Sequence, residues 1–317
     1  MSDTPRRTGL LIVLDGFGYS AATEKRLPGF FVQSLVCVAL WVALYGSDEL
    51  RAKLGGERVV KWFGLIVPTG VLFLLLAWGT TMVAGMKTIK GDELRMRVSG
   101  NIYWWRVSYL DAKGNEILAD ANELHIPVGS PVVVDMVSED VIHSFWVPKL
   151  GGKMDMIPGR TNRLKLQADK AGHYGGQCAE FCGGAHSLMG FVVVVHAPVD
   201  WQRWLDARLA RQQPQPAPAA VPVSAEVLRG SQLFTEVGCA ACHRVAGTTA
   251  QGLSGPDLTH VGSRRSLGAG ILPNTRDTLI GWIGDSQSIK PNNRMPAYRS
   301  LHAAELNALA AYMESLK

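Results

Sequence analysis

Two long stretches without a charged side chain set the first limit on what this chain can fold into. Leu27 to Ser47 runs for 21 residues, LPGFFVQSLVCVALWVALYGS, and Trp62 to Met86 for 25, WFGLIVPTGVLFLLLAWGTTMVAGM. A helix of about 20 apolar residues crosses a hydrocarbon core of about 30 Å. Two such runs in succession predict a transmembrane hairpin over 27–86, with spans at about 27–47 and 62–86. Pro68 falls in the second span, where local adjustment re-satisfies the carbonyl that its ring frees. Arg6, Arg7, Lys25 and Arg26 precede the hairpin, and Arg51, Lys53, Arg58 and Lys61 lie in its connecting loop, so the positive-inside count is tied. The side on which the hairpin ends must come from chemistry further along. Residues 1–26 form an N-terminal segment of unclear role: LLIVL is short for a signal-peptide core, and no small-residue cleavage site follows it.

Of the 317 residues 47% are apolar, and the net charge of +5 is spread thinly. Residues 86–210 carry 14 basic and 14 acidic side chains, and 211–317 carry 10 and 7. No segment has the dense basic stripe that nucleic-acid binding needs, which excludes that class of partner. Between 87 and 210 the pattern is that of strands. ELRMRVSG and RLKLQA alternate apolar with charged residues, and PVVVDMV and FVVVVHAP are short β-branched runs. Together they predict a β-sandwich, followed by a short helix in WQRWLDARLARQ. RQQPQPAPAAVPV, residues 211–223, is a proline-rich tether and marks a domain boundary. The remaining residues, 224–317, end on LHAAELNALAAYMESLK, where Leu306, Leu309, Met313 and Leu316 recur at helical spacing. That predicts a small all-α domain.

Four of the five cysteines fall in two pairs, and Cys37 sits in the first span as a small apolar residue. The first pair lies in CAEFCGGAHSLM, residues 178–189. A disulfide between Cys178 and Cys182 gives no reason for His186 and Met189 beside it. Metal ligation does, because thiolate and thioether are soft donors that favour copper, and imidazole suits copper or zinc. A further histidine, His143, stands in SEDVIHSFWVP. Two thiolates can bridge two copper ions, each keeping one histidine. A zinc site would use the same cysteines and histidines without the methionine. His125, His173 and His196 lack such company and read as ordinary polar residues.

SEDVIHSFWVP, KMDMIPGRTNRL and GHYGGQCAEFCGGAHSLM resemble the signature stretches of cytochrome c oxidase subunit II. The resemblance covers about residues 27–205. It implies a cupredoxin-like Greek-key sandwich with a dinuclear copper centre, CuA, ligated by His143, Cys178, Cys182, His186, Met189 and the backbone carbonyl of Glu180. It also implies a magnesium ion on the Glu180 side chain at the interface with subunit I. The family's exposed electron-entry aromatics fall on NIYWWRVSY, so Tyr103, Trp104 and Trp105 are the gateway candidates. Strand neighbours face opposite ways, and at least one of the three should pack the core. Lys61 takes the position where the family often carries a proton-entry carboxylate, with Glu57 a turn earlier.

The second pair lies in CAACH, residues 239–243, and Cys-x-x-Cys-His is the attachment pattern of a covalent haem. Cys239 and Cys242 form the thioethers in that reading, and His243 is the proximal ligand. Met295 in KPNNRMPAY is the expected distal ligand, and Met313 falls on the apolar stripe of the last helix. GPDL and LIGWIGDSQSIKPNNRMPAY make 224–317 similar to class I cytochrome c domains, as fused to oxidase subunits. Thioether attachment occurs outside the cytoplasm, which puts both domains on the periplasmic side of a bacterial inner membrane.

The resemblance therefore implies the electron-entry subunit of a caa-type oxidase. Electrons arrive from a soluble or membrane cytochrome c-type donor and pass from haem c to CuA. They continue to the dioxygen-reducing site of subunit I, with subunit III as a further partner. No residue of this chain is expected to bind dioxygen. Two alternatives stay open at this level: the equivalent subunit of a nitric oxide reductase, and a membrane-anchored copper-delivery protein.

Overall fold

The computed structural model describes Ser34, Cys37, Val38 and residues 40–42, 44–87, 93–212 and 224–317. The N-terminal segment 1–26, most of the first expected span and residues 213–223 of the proline-rich tether lie outside the described residues. Two compact units result, 1–89 and 90–317.

In the first unit, a short helix Asp48–Leu54 starts on a Ser47 cap that accepts from the Leu50 amide. A continuous helical run follows, from Glu57 through a wide turn at Trp62–Ile66 to Lys87. The wide turn ends two residues before Pro68, whose ring cannot tolerate ordinary i→i−4 bonding, and a π-turn is one way to absorb the mismatch. The span long and apolar enough to cross a membrane is Glu57–Met82, 26 residues with none of its length buried. It begins earlier than the uncharged run because Glu57 and Lys61 pair at 2.5 Å one turn apart and extend the helix into the charged loop. Within it, the Thr80 hydroxyl donates to the Leu76 and Ala77 carbonyls and Thr81 to Trp78, so neither is left unpaired. Among the described residues this is the one such span; those described between 34 and 45 are helical.

The second unit opens with a sandwich of two five-stranded sheets. One has the order β3 (Glu116–Ala121), β2 (Trp104–Leu110), β1 (Leu94–Asn101), β5 (Val132–Ser138), β8 (Asn162–Leu166). The other has β4 (Glu123–Pro127), β10 (Gly190–His196), β9 (Gly172–Cys178), β6 (His143–Trp146), β7 (Met154–Met156). Each sheet contains one parallel pairing, β1 with β5 and β10 with β4, and the other pairings are antiparallel. Every run expected as a strand is one. The core between the sheets is aromatic: Trp105, Phe145 and Phe191 meet with ring centroids 4.5–5.9 Å apart. Helix Pro198–Gln212 then closes one end, setting Trp204 at 5.5 Å from Tyr109 and flat on His125 at 4.2 Å.

Three helices, Ala225–Glu236, Arg276–Ile289 and Ala303–Ser315, build the C-terminal domain. The first and last cross at Gly230, where a Cβ would meet the Ala308 carbonyl oxygen at 2.0 Å; only a glycine permits that approach. This domain lies directly against the sandwich. The Arg264 guanidinium pairs with Asp120 at 2.7 Å, the Arg265 amide donates to Glu123 at 2.6 Å, and the Gly190 amide donates to the Ala269 carbonyl at 3.0 Å.

Candidate functional site

Two loops of the second sheet converge on one spot. β9 ends at Cys178, and the turns between it and β10 carry Glu180, Cys182, His186 and Met189. β6 begins at His143, directly beside the end of β9, with Phe145 registered against Cys178. Gly100 in β1 leaves room for the His143 ring, since a Cβ there would meet its Cδ2 at 2.6 Å.

The donor atoms form a single chain of contacts. Cys178 Sγ lies 3.9 Å from His143 Nδ1, 3.2 Å from the Glu180 carbonyl oxygen and 3.9 Å from Cys182 Sγ. Cys182 Sγ in turn lies 3.6 Å from His186 Nδ1 and 3.8 Å from Met189 Sδ. The sulfur–sulfur distance is nearly twice that of a disulfide, about 2.05 Å, so both thiols are free. His143, Cys178 and Cys182 form a group whose ligand atoms lie within 4.8 Å of one another. His143 is fully buried, and Cys178, Cys182 and Met189 are no more than 5% exposed.

Electrostatics explain why such a cage suits cations. The Cys182 thiol and the His143 ring both hydrogen-bond Cys178 and hold its pKa well below the usual thiol range. The contact with Cys178, together with burial, pushes the Cys182 thiol up, because a second negative charge beside the first is unfavourable. Two thiolates at this spacing therefore require positive charge between them. The remaining nitrogen of His143 is fixed by Asp140, whose Oδ1 lies 2.8 Å from Nε2, leaving Nδ1 turned toward sulfur. Asp140 carried no signal in the sequence beyond its place three residues before His143.

The second site is a cavity of about 430 Å³ lined by Cys239, Cys242, His243, Met295 and Met313. His243 Nδ1 is 2.8 Å from the Pro256 carbonyl, which accepts its proton and presents Nε2 to the cavity. Burial lowers the pKa of His243, favouring the neutral ring that ligates a metal. The Met295 loop is held by Ser286 and Gln287, which both donate to its carbonyl, and by the Asn293 carboxamide, which accepts from its amide at 2.8 Å. Both thiols of CAACH are unpaired, as thioether formation requires.

The gateway candidates separate. Tyr103 and Trp105 are buried at 5% and 0%. Trp105 packs against His143, with ring centroids 6.1 Å apart. Trp104 is half-buried under the Arg106 guanidinium and lines the same cavity as His243 and Met295. Glu180 joins no group of three candidate ligands among the described residues, so a magnesium ion on its side chain would need ligands from elsewhere. Of the histidines read as ordinary, His125 and His196 bond each other at 2.8 Å.

A β-sandwich with a thiol–imidazole–thioether cage, joined to a small helical domain with a CAACH cavity, defines an electron-transfer protein of cupredoxin and cytochrome c parts. Residues 93–196 match the cytochrome c oxidase subunit II periplasmic domain, and 227–317 match cytochrome c. The chain is 34% identical over 310 residues to cytochrome c oxidase subunit 2 of Alkalihalophilus pseudofirmus, covering 93% of this chain and 86% of that protein. It is 30% identical over 291 residues to the Bacillus subtilis protein of the same name, covering 86% and 78%. Among solved structures, the periplasmic domain of subunit II of Bradyrhizobium japonicum cytochrome oxidase is 29% identical, covers 38% of this chain and 95% of that one, and gives a TM-score of 0.35. The chain belongs to the cytochrome c oxidase subunit 2 family, with a cytochrome c domain fused at its C-terminal side, and is thus a component of an oxidoreductase complex.

Proposed function

We propose that this chain is the electron-entry subunit of a caa-type respiratory terminal oxidase. It passes electrons from a c-type haem to a dinuclear CuA centre and on to the haem–copper, dioxygen-reducing site of subunit I. His143, Cys178, Cys182, His186, Met189 and the Glu180 carbonyl hold the copper pair. Cys239 and Cys242 would bond a haem covalently, and His243 and Met295 would hold its iron. When bound, both cofactors would supply one-electron transfer. The chain's own residues orient the ligands, exclude water and hold the two sites in one compact unit.

The observation that carries this reading is the sulfur pair at 3.9 Å with an imidazole on each flank. A mononuclear or zinc site has no use for two central thiolates plus a thioether. Full ligation and burial favour a conduit over a copper-delivery protein, whose site must exchange its metal. Electron paramagnetic resonance of the purified complex tests it. A seven-line mixed-valence signal with two coppers per chain is expected, and a four-line signal or zinc overturns it. Gas consumption by the same preparation decides between oxidase and nitric oxide reductase.

The same reading assigns 27–86 to a two-span hairpin in a bacterial inner membrane. The loop at 48–61 is then cytoplasmic, and domains 87–210 and 224–317, joined by the tether 211–223, are periplasmic. Subunit I, subunit III and a cytochrome c-type donor are its partners, and a magnesium ion on Glu180 would be completed by subunit I.

A further inference from the structure

Lys290 is 2% exposed. Its Nζ donates to the Tyr103 carbonyl of the sandwich at 2.7 Å and to the Gly268 carbonyl of its own domain at 2.8 Å. Placing an amine in a protein interior is unfavourable unless its donors are matched, so this placement marks a constraint. Burial lowers the pKa of Lys290 to about 7, yet carbonyl acceptors take a bond from either protonation form.

The segment that Lys290 holds lies between the two sites. The Tyr103 hydroxyl rests on the thiol loop, 2.6 Å from where a Cβ on Gly183 would sit, and Trp104 lines the cavity of His243 and Met295. Around this point the seam is closed by Arg264 on Asp120, by the Arg265 and Gly190 amides on Glu123 and Ala269, and by Arg294 at 3.3 Å from Asp140. Asp140 is also the partner of His143, so one carboxylate touches both a copper-site imidazole and the neighbour of Met295.

We propose that Lys290 is the positioning residue of a fixed interdomain dock. By pinning the Tyr103 carbonyl it sets Tyr103 and Trp104 as a rigid spacer between the two cofactor sites. The cytochrome domain then works in one docked pose rather than being kept nearby by chain connectivity alone. An outside donor delivers electrons to that domain, because the domain covers the approach to the copper site through Trp104. This rests on the relay reading above and adds to it the residue that fixes the relay's geometry.

Amide hydrogen exchange on the full, cofactor-loaded chain tests it. The Gly190 and Arg265 amides bond across the seam and report docking directly. In the wild type both should exchange at least 100-fold more slowly than exposed amides. Lys290→Met should speed both at least tenfold, leave the β5 amides unchanged, and slow electron transfer from the cytochrome domain to copper at least tenfold. Lys290→Arg, which keeps the donors, should restore most of the protection. Unchanged exchange at both amides in Lys290→Met overturns the role of Lys290 as the positioning residue. Should that variant fail to fold, the wild type decides alone: exposed-like exchange at Gly190 and Arg265 sinks the proposal. A protected seam without a seven-line copper signal would instead reject the relay reading and leave the dock standing.

Discussion

Single residues carry the chemistry, and their roles separate in simple variants. Met295 and Met313 both line the CAACH cavity, but Met295 sits on a loop held by three hydrogen-bonding side chains, whereas Met313 belongs to the packed face of helix Ala303–Ser315. Met295→Ala should keep the haem covalently attached and convert its absorption from low-spin toward high-spin. Met313→Ala should leave the spin state alone, and a spectrum changed only by the second variant would exchange the roles. Asp140 makes a different point. Removing the partner that orients a ligating histidine commonly weakens metal affinity by about 10–100-fold. Asp140→Ala should therefore bind copper that far more weakly in competition with a chelator, with both thiols still present. The thiols, His186 and Met189 were legible in the sequence because they cluster within twelve residues, 178–189. Asp140 and Lys290 were not, because a carboxylate or a lysine becomes informative only once its neighbours are known.

At the scale of elements, strands that alternate or run β-branched announced themselves, as β1, β5, β8 and β10 did. β9, GHYGGQC, did not: three of its seven residues are glycine, and its order comes from pairing with β10 and β6. β4 is another hidden element, since Glu123 and His125 look solvent-facing in sequence yet are buried, partnered by the cytochrome domain and by Tyr109 and His196. Helix crossings are similarly silent. Gly230→Ala would drive a methyl into the Ala308 carbonyl, and overpacking of this kind costs roughly 1–3 kcal/mol. The expected result is a lower melting temperature for the cytochrome domain with an unchanged sandwich transition. A melting temperature equal to the wild type would mean that the two helices separate easily.

Over the whole molecule, the seam between domains is charged and buried, which ties stability to pH. His260 is 1% exposed, and burial lowers its pKa to about 4, with the charges of Arg208, Asp120, Arg264 and Arg211 around it. Unfolded, it titrates near 6.5, so between pH 6.5 and 4 the unfolded chain binds more protons than the folded one. Stability is then complete above pH 6.5, falls as the pH drops toward 4, and levels below that. The loss is on the order of 3 kcal/mol for this group. His196, also lowered to about 4 by burial, adds a smaller share because it is only half-buried. Thermal unfolding of the full chain across that range should show the slope, and His260→Leu should flatten it. An equal slope in the variant would place the titration elsewhere.

The sequence by itself determined the parts: an apolar span, a sandwich, a helical domain, and two short sulfur-bearing clusters, 178–189 and 239–243. These are local facts, because hydrophobic period, soft donors within one loop and CAACH spacing need no distant contact to be read. Only the tertiary structure decided that the two domains share a seam, that Trp104 rather than Trp105 borders the CAACH cavity, and that Asp140, Lys290, Arg264 and Glu123 work across it. Contacts between residues more than a hundred positions apart leave no periodicity in one sequence. Their energy comes from satisfying buried polar groups once the chain has folded.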